Sequence, residues 1–163
     1  MKNLKRLMAL LLVAVIMVSV AACGNGGNKD ANPTKEGAQA ADKAQEDIAM
    51  QYISAEDLKA KADDYLILDV RKAEDFDKGH IANAVSQDMD AAKNGDTAAG
   101  EKTMKGAVEG NEKPVVLVCY SGKAYAQAAT NALGAIGYDT SKVYTLEGGM
   151  KAWEAAYPDD IEK

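Results

Sequence analysis

Pro114-Val115-Val116-Leu117-Val118-Cys119-Tyr120-Ser121-Gly122-Lys123 holds the clearest pattern in the chain. Val115 to Val118 is a continuous apolar run with no polar face, which reads as a strand buried on both sides. Pro114 opens it, and Ser121-Gly122 breaks it into a turn. An alanine-rich helix follows from about Ala124 to Ile136, with Gly137 as its stop. In open α/β sheets the crevice between such a strand end and the next helix is where ligands bind.

The flanking sequence repeats this alternation. Met50 to Ile53 reads as a short strand, and Ser54 with Asp57 as a capped helix start running through Lys61. Tyr65-Leu66-Ile67-Leu68-Asp69-Val70 is a second nearly continuous apolar strand. A helical turn at Ala73 to Asp77 comes next, then Gly79-His80 and an extended stretch at Ala84-Val85. Asp88 to Asn111 is polar and rich in Gly and Ala, a loop with some helix. Val143-Tyr144-Thr145 and Met150 to Tyr157 complete the pattern as a strand and a last helix ended by Pro158. The expectation is an α/β domain with a mostly parallel sheet covered on both faces.

Cys119 is the residue with chemistry in this frame. It lies just ahead of a helix N-terminus, whose unpaired amides favour a thiolate and hold anions. Lys123 adds a positive charge. A cysteine that merely packs is the alternative, made less attractive by the glycine turn and the lysine. Tyr120 and Tyr125 are candidates to line the pocket with aromatic surface, or simply to pack.

Four segments together resemble the rhodanese-like domain: Leu68-Asp69-Val70-Arg71, Gly79-His80-Ile81, Cys119-Tyr120-Ser121-Gly122, and Leu146-Glu147-Gly148-Gly149-Met150-Lys151-Ala152-Trp153. They occur in that family's order and spacing and span most of Tyr65 to Trp153. The resemblance implies a three-layer domain with a central, mostly parallel five-stranded sheet flanked by helices, and sulfurtransferase chemistry. Cys119 would take a sulfane sulfur from a thiosulfate-like donor, become a persulfide, and pass the sulfur to a thiophilic acceptor. Tyr120, Ser121, Gly122, Lys123 and Ala124 would supply a cradle of backbone amides. Arg71 is a candidate to help bind an anion. Asp69 and His80 are expected to be structural partners that fix loops. Many members carry a loop like Cys-Arg-Ser-Gly-Asn-Arg; here the second position is Tyr120 and the sixth Ala124, so no arginine fork can grip an oxyanion in two places.

Competing chemistries fit less well. A cysteine phosphatase needs Cys-x5-Arg to clamp a tetrahedral oxyanion, and six residues after Cys119 stands Tyr125. A Cys–His hydrolase has only His80 to draw on. The serious rival is a rhodanese-like module that binds a partner or senses oxidants without catalysis; the retained cysteine argues against an inactive binding module, and a sensor would show sulfenic acid at Cys119 without a resolving partner. Cys23 and Cys119 with the one histidine cannot build a structural zinc site. No phosphate-binding Gly-rich loop with lysine is present, so no metal, cofactor or nucleotide is expected.

The whole chain has 163 residues, 19 basic and 25 acidic, for a net charge of −6. The first 22 residues hold Lys2, Lys5 and Arg6 and no acid, which leaves −9 on the remainder. A body that acidic repels nucleic acid. Leu7 to Ala22 is an uncharged run that would reach about 24 Å as a helix, short of the roughly 30 Å of a bilayer core. Residues 1–22 therefore read as an export signal. The run ends in Val20-Ala21-Ala22-Cys23, which resembles the lipobox of bacterial lipoproteins, where the cysteine is acylated after cleavage. Residues 23–47 then comprise the lipidated Cys23 and a spacer without aromatic or β-branched aliphatic residues, flexible over roughly 25–30 Å. Residues 48–158 are the folded domain and 159–163 a tail. The expected molecule is a monomer on the extracytoplasmic face of the cell membrane, its partners being a small sulfur-containing anion and a thiol acceptor.

Overall fold

The computed structural model describes residues 46–163; the expected leader, Cys23 and nearly all of the spacer lie outside the described residues. In chain order the elements are β1 (Gln51–Ile53), α1 (Ala55–Ala60), β2 (Leu66–Asp69), α2 (Ala73–Phe76), β3 (His80–Ile81), β4 (Val85–Ser86) and α3 (Asp90–Lys93). They continue with α4 (Thr97–Val108), β5 (Val115–Val118), α5 (Ala124–Ala135), β6 (Val143–Leu146), α6 (Gly149–Ala156) and β7 (Ile161–Glu162). Ser54 caps α1 as its spacing predicts. Ser54 Oγ accepts from the Asp57 amide at 3.0 Å and donates to the Asp57 carboxylate at 2.7 Å.

Five strands form one sheet in the order β1-β6-β5-β2-β4, and every pairing in it is parallel. The strand that carries Cys119 at its end, β5, is therefore central. Its alternating side chains feed both layers, as the period of a strand requires. Val115, Leu117 and Cys119 pack with Leu68, Met104, Ala129 and Leu133 beneath α3, α4 and α5. Val116 and Val118 pack with Leu58, Ile67, Met150 and Trp153 beneath α1 and α6. Two dry layers around one sheet explain why β2 and β5 show no polar face in sequence.

Two regions differ from the sequence expectation. Within Asp88–Asn111, read as a loop with some helix, Thr97–Val108 is a helix of 12 residues. Gly100 and Gly106 lower its intrinsic propensity, but Gly100, Met104 and Val108, spaced four apart, form one buried stripe. Residues 159–163 are not a free tail: β7 pairs antiparallel with β3, His80 opposite Glu162 and Ile81 opposite Ile161. Lys59 anchors the return through Asp160 at 2.5 Å. At the other end, Asp47 and Ile48 are already held by α5. The Ile48 amide donates to Asn131 at 3.0 Å and its carbonyl accepts from Gln127 at 2.8 Å.

Candidate active site

Cys119 follows the last residue of β5, and Lys123 is the N-cap of α5 without any side-chain cap. The five-residue connection is shaped from below by the first turn of α6. The Met150 amide donates to the Cys119 carbonyl at 2.7 Å, and the Lys151 amide to the Tyr120 carbonyl at 3.3 Å. A trans peptide points its N–H opposite to its C=O. Fixing those two carbonyls on α6 therefore turns the Tyr120 and Ser121 amides away from it. Among the described residues, no acceptor is found for the amides of Tyr120, Ser121, Gly122, Lys123 or Ala124. Together with the open end of α5 they form a patch of free donors that can hold an anion.

The glycines make this approach possible. Gly122, Gly148 and Gly149 all have positive φ, at +69°, +71° and +61°. A Cβ on Gly122 would stand 2.7 Å from the Leu146 carbonyl, and one on Gly149 would run into the Cys119 carbonyl. The Leu146–Trp153 segment is thus the floor of the Cys119 loop, and Trp153 belongs to the apolar layer on that side of the sheet.

Cys119 itself is only 2% exposed. Its place between a strand end and a helix N-terminus leads one to expect an open thiol in the crevice; the structure puts the side chain on the core face of β5, in the layer with Met89, Ala126 and Tyr125. Ser121, Lys123 and Ala124 are exposed and Gly122 is buried. Tyr120 and Tyr125 stand edge to face with ring centroids 5.2 Å apart. The Tyr120 hydroxyl donates to Asp75 at 2.5 Å, and the Tyr125 hydroxyl to Asp90 at 2.5 Å. Burial, then the Asp75 carboxylate, pushes Tyr120 up to about 12; burial, then the Asp90 carboxylate, raises Tyr125. Asp75 and Asp90 are held below their ordinary values, Asp75 first by Lys78 and then by Tyr120, Asp90 first by Tyr125. Neither aspartate was singled out by the sequence. A lone carboxylate in a polar segment looks like any solvated one until the fold brings a phenol to it.

Arg71, read as a candidate to help bind an anion, is held by protein acceptors. Its guanidinium donates to both oxygens of Asp69, the shortest at 2.7 Å, and to the Gly79 carbonyl at 2.7 Å. Burial opposes its charge, but the hydrogen bond and charge of Asp69 outweigh that and raise its pKa. These bonds tie the end of β2 to the turn before β3, and Arg71 also lines a cavity beside Tyr120. Asp69 is fully buried and also accepts from the Arg71 amide at 3.1 Å. His80 is tied to its own turn and faces β7. Its Nδ1–H donates to the Phe76 carbonyl at 3.1 Å, its ring stacks on Phe76 at 3.8 Å, and its Nε2 faces Glu162 at 3.9 Å.

This loop, with its floor of glycines and its central parallel strand, defines an α/β domain built around one cysteine. The family model described as the rhodanese-like domain matches residues 54–156, and the chain belongs to that family. Among curated proteins it is similar to the thiosulfate sulfurtransferase GlpE of Pseudomonas savastanoi pv. phaseolicola, 32% identical over 95 residues, 58% of this chain and 77% of that protein. It is similarly related to the GlpE of Pseudoalteromonas translucida, 31% identical over 103 residues, 62% of this chain and 84% of that protein. Among solved structures, the rhodanese-like domain from Anabaena sp. aligns over 70% of this chain and 80% of its own length, with a TM-score of 0.53 at 22% identity. That likeness carries the fold.

Proposed function

We propose that this chain is a sulfurtransferase in which Cys119 carries the sulfur, tethered through a lipidated Cys23 outside the cytoplasmic membrane. The observation that carries the chemical half is the run of unpaired amides from Tyr120 to Ala124 directly after Cys119, turned away from α6 by the bonds to Met150 and Lys151. The Cys119 thiolate attacks the outer sulfur of thiosulfate, the S–S bond breaks and sulfite leaves with its electron pair. Cys119 then holds a persulfide anion. An acceptor thiolate or cyanide takes the outer sulfur in the reverse sense and regenerates the thiolate. No general base is needed once the thiol is ionised, and the charge that persists through both steps lies where amide donors can meet it. The names of the GlpE relatives support thiosulfate as the donor to try first. The tether rests on the basic start, the short apolar run and Val20-Ala21-Ala22-Cys23.

A second reading, a binding module in which Cys119 does no chemistry, is favoured by the near-complete burial of that residue. Intact-mass analysis separates the two. After incubation with thiosulfate the protein gains the mass of one sulfur atom, and Cys119→Ser does not. No gain from thiosulfate or any other sulfane donor leaves the module.

A further inference from the structure

The cavities beside the loop stop short of the thiol. One of about 370 Å³ reaches Ala124, and one of about 520 Å³ reaches Tyr120, but Cys119 lines neither. What stands at the two ends of the loop is aromatic: Tyr120, adjacent to Cys119, and Tyr125, packed in its apolar layer. The rings touch each other edge to face, and each hydroxyl is fastened to a carboxylate outside the loop. The fastenings are themselves supported. Asp75 is paired with Lys78 at 2.6 Å, Asp90 faces Lys72 at 3.7 Å, and the Lys72 amide donates to the Tyr120 hydroxyl at 3.4 Å. Hydrogen bonds to a charged acceptor are the stronger kind, so these rings are held in place and do not simply rest on the surface.

We infer that Tyr120 and Tyr125 form a two-ring gate on Cys119, latched by Asp75 and Asp90, that sets donor specificity by size. This rests on the sulfurtransferase reading and adds to it the class of molecule the site admits. Attack on a sulfane sulfur needs room only for that atom and a leaving group in line behind it. Attack on an organic disulfide forms a mixed disulfide and expels a second thiolate, and it needs room for a substituent on both sulfurs. The gate admits the first geometry and excludes the second, which keeps a lone thiol free for small inorganic or terminal sulfane donors while bulky disulfides are turned away.

The test compares second-order rates of Cys119 modification by 4,4′-dithiodipyridine, a flat aromatic disulfide, and by iodoacetamide, which is small and neutral. The full-length Cys23→Ser protein leaves one thiol to titrate. The disulfide-to-iodoacetamide ratio is expected to fall about tenfold below that of an unstructured cysteine peptide, the scale of one charge-assisted hydrogen bond. Tyr120→Phe with Tyr125→Phe keeps both rings but releases the latches, and raises the ratio about tenfold. Asp75→Asn with Asp90→Asn keeps a neutral, weaker acceptor at each latch and raises the ratio by less than the double phenylalanine variant does, a graded order that general loosening would not give. Should the double phenylalanine variant not fold, Tyr125→Phe alone carries the same expectation in smaller degree. A peptide-like ratio in the parent, or no change on losing the hydroxyls, overturns the gate. Thiosulfate loading is weighed on the same samples. Loading with a peptide-like ratio sinks the gate alone, whereas no loading with a low ratio sinks the sulfurtransferase reading and the donor selection built on it.

Discussion

A methyl group on Gly149 would meet the Cys119 carbonyl and stand 2.6 Å from the Ser121 nitrogen and 2.8 Å from that of Gly122, on a backbone already at φ +61°. Gly110 has a similar φ of +73° but open space around it. Alanine at both therefore separates conformational strain from collision. Gly110→Ala is expected to cost about 1 kcal/mol, the left-handed penalty, and Gly149→Ala about 3 kcal/mol, strain plus a clash with backbone that cannot move aside. Urea denaturation reads both, and equal losses would deny the interlock between α6 and the loop. At this level the sequence is generous with glycines and cysteines, because their chemistry is local. It is silent on partners. Arg71 reads as a candidate anion ligand because it sits two residues past β2; its acceptors, Asp69 and the Gly79 carbonyl, come together around it only once that loop is closed.

α2 and α3 have four residues each, too short to persist without tertiary support. The Tyr120–Asp75 and Tyr125–Asp90 hydrogen bonds supply part of that support, and they make it depend on pH. Tyr120 is raised from an ordinary 10.0 to about 12 in the fold. A raised value means the folded state prefers the proton, so its contribution is intact below about pH 10 and drains away as pH climbs through about 12. Melting temperature should therefore drop across that window, and less steeply in Tyr120→Phe; identical profiles would remove the phenol as the cause. The buried strands β2 and β5 and the capped start of α1 were readable because a continuous apolar run or a capping spacing admits few alternatives. The helix α4 was not, since its two glycines argue against helix locally and only packing against Met89 and Ala132 overrides them. The pairing of β3 with β7 was equally hidden, each strand being two residues long.

The described residues form a domain with its own core, and the sequence ahead of it is the part proposed as an address. If the address is that of a lipoprotein, the protein purified from membranes begins at an acylated Cys23, and globomycin causes the uncleaved precursor to accumulate. A mature terminus elsewhere would refute it. The order of strands bears on how such a chain would be made. β1 borders β6 alone, with Gln51 opposite Tyr144, while β5 waits between β6 and β2. A ribosome must therefore finish nearly the entire polypeptide before the first strand acquires a neighbour. Until then β1 stays a lone thread, although β2, β4 and β5, complete by Val118, already have one another as partners.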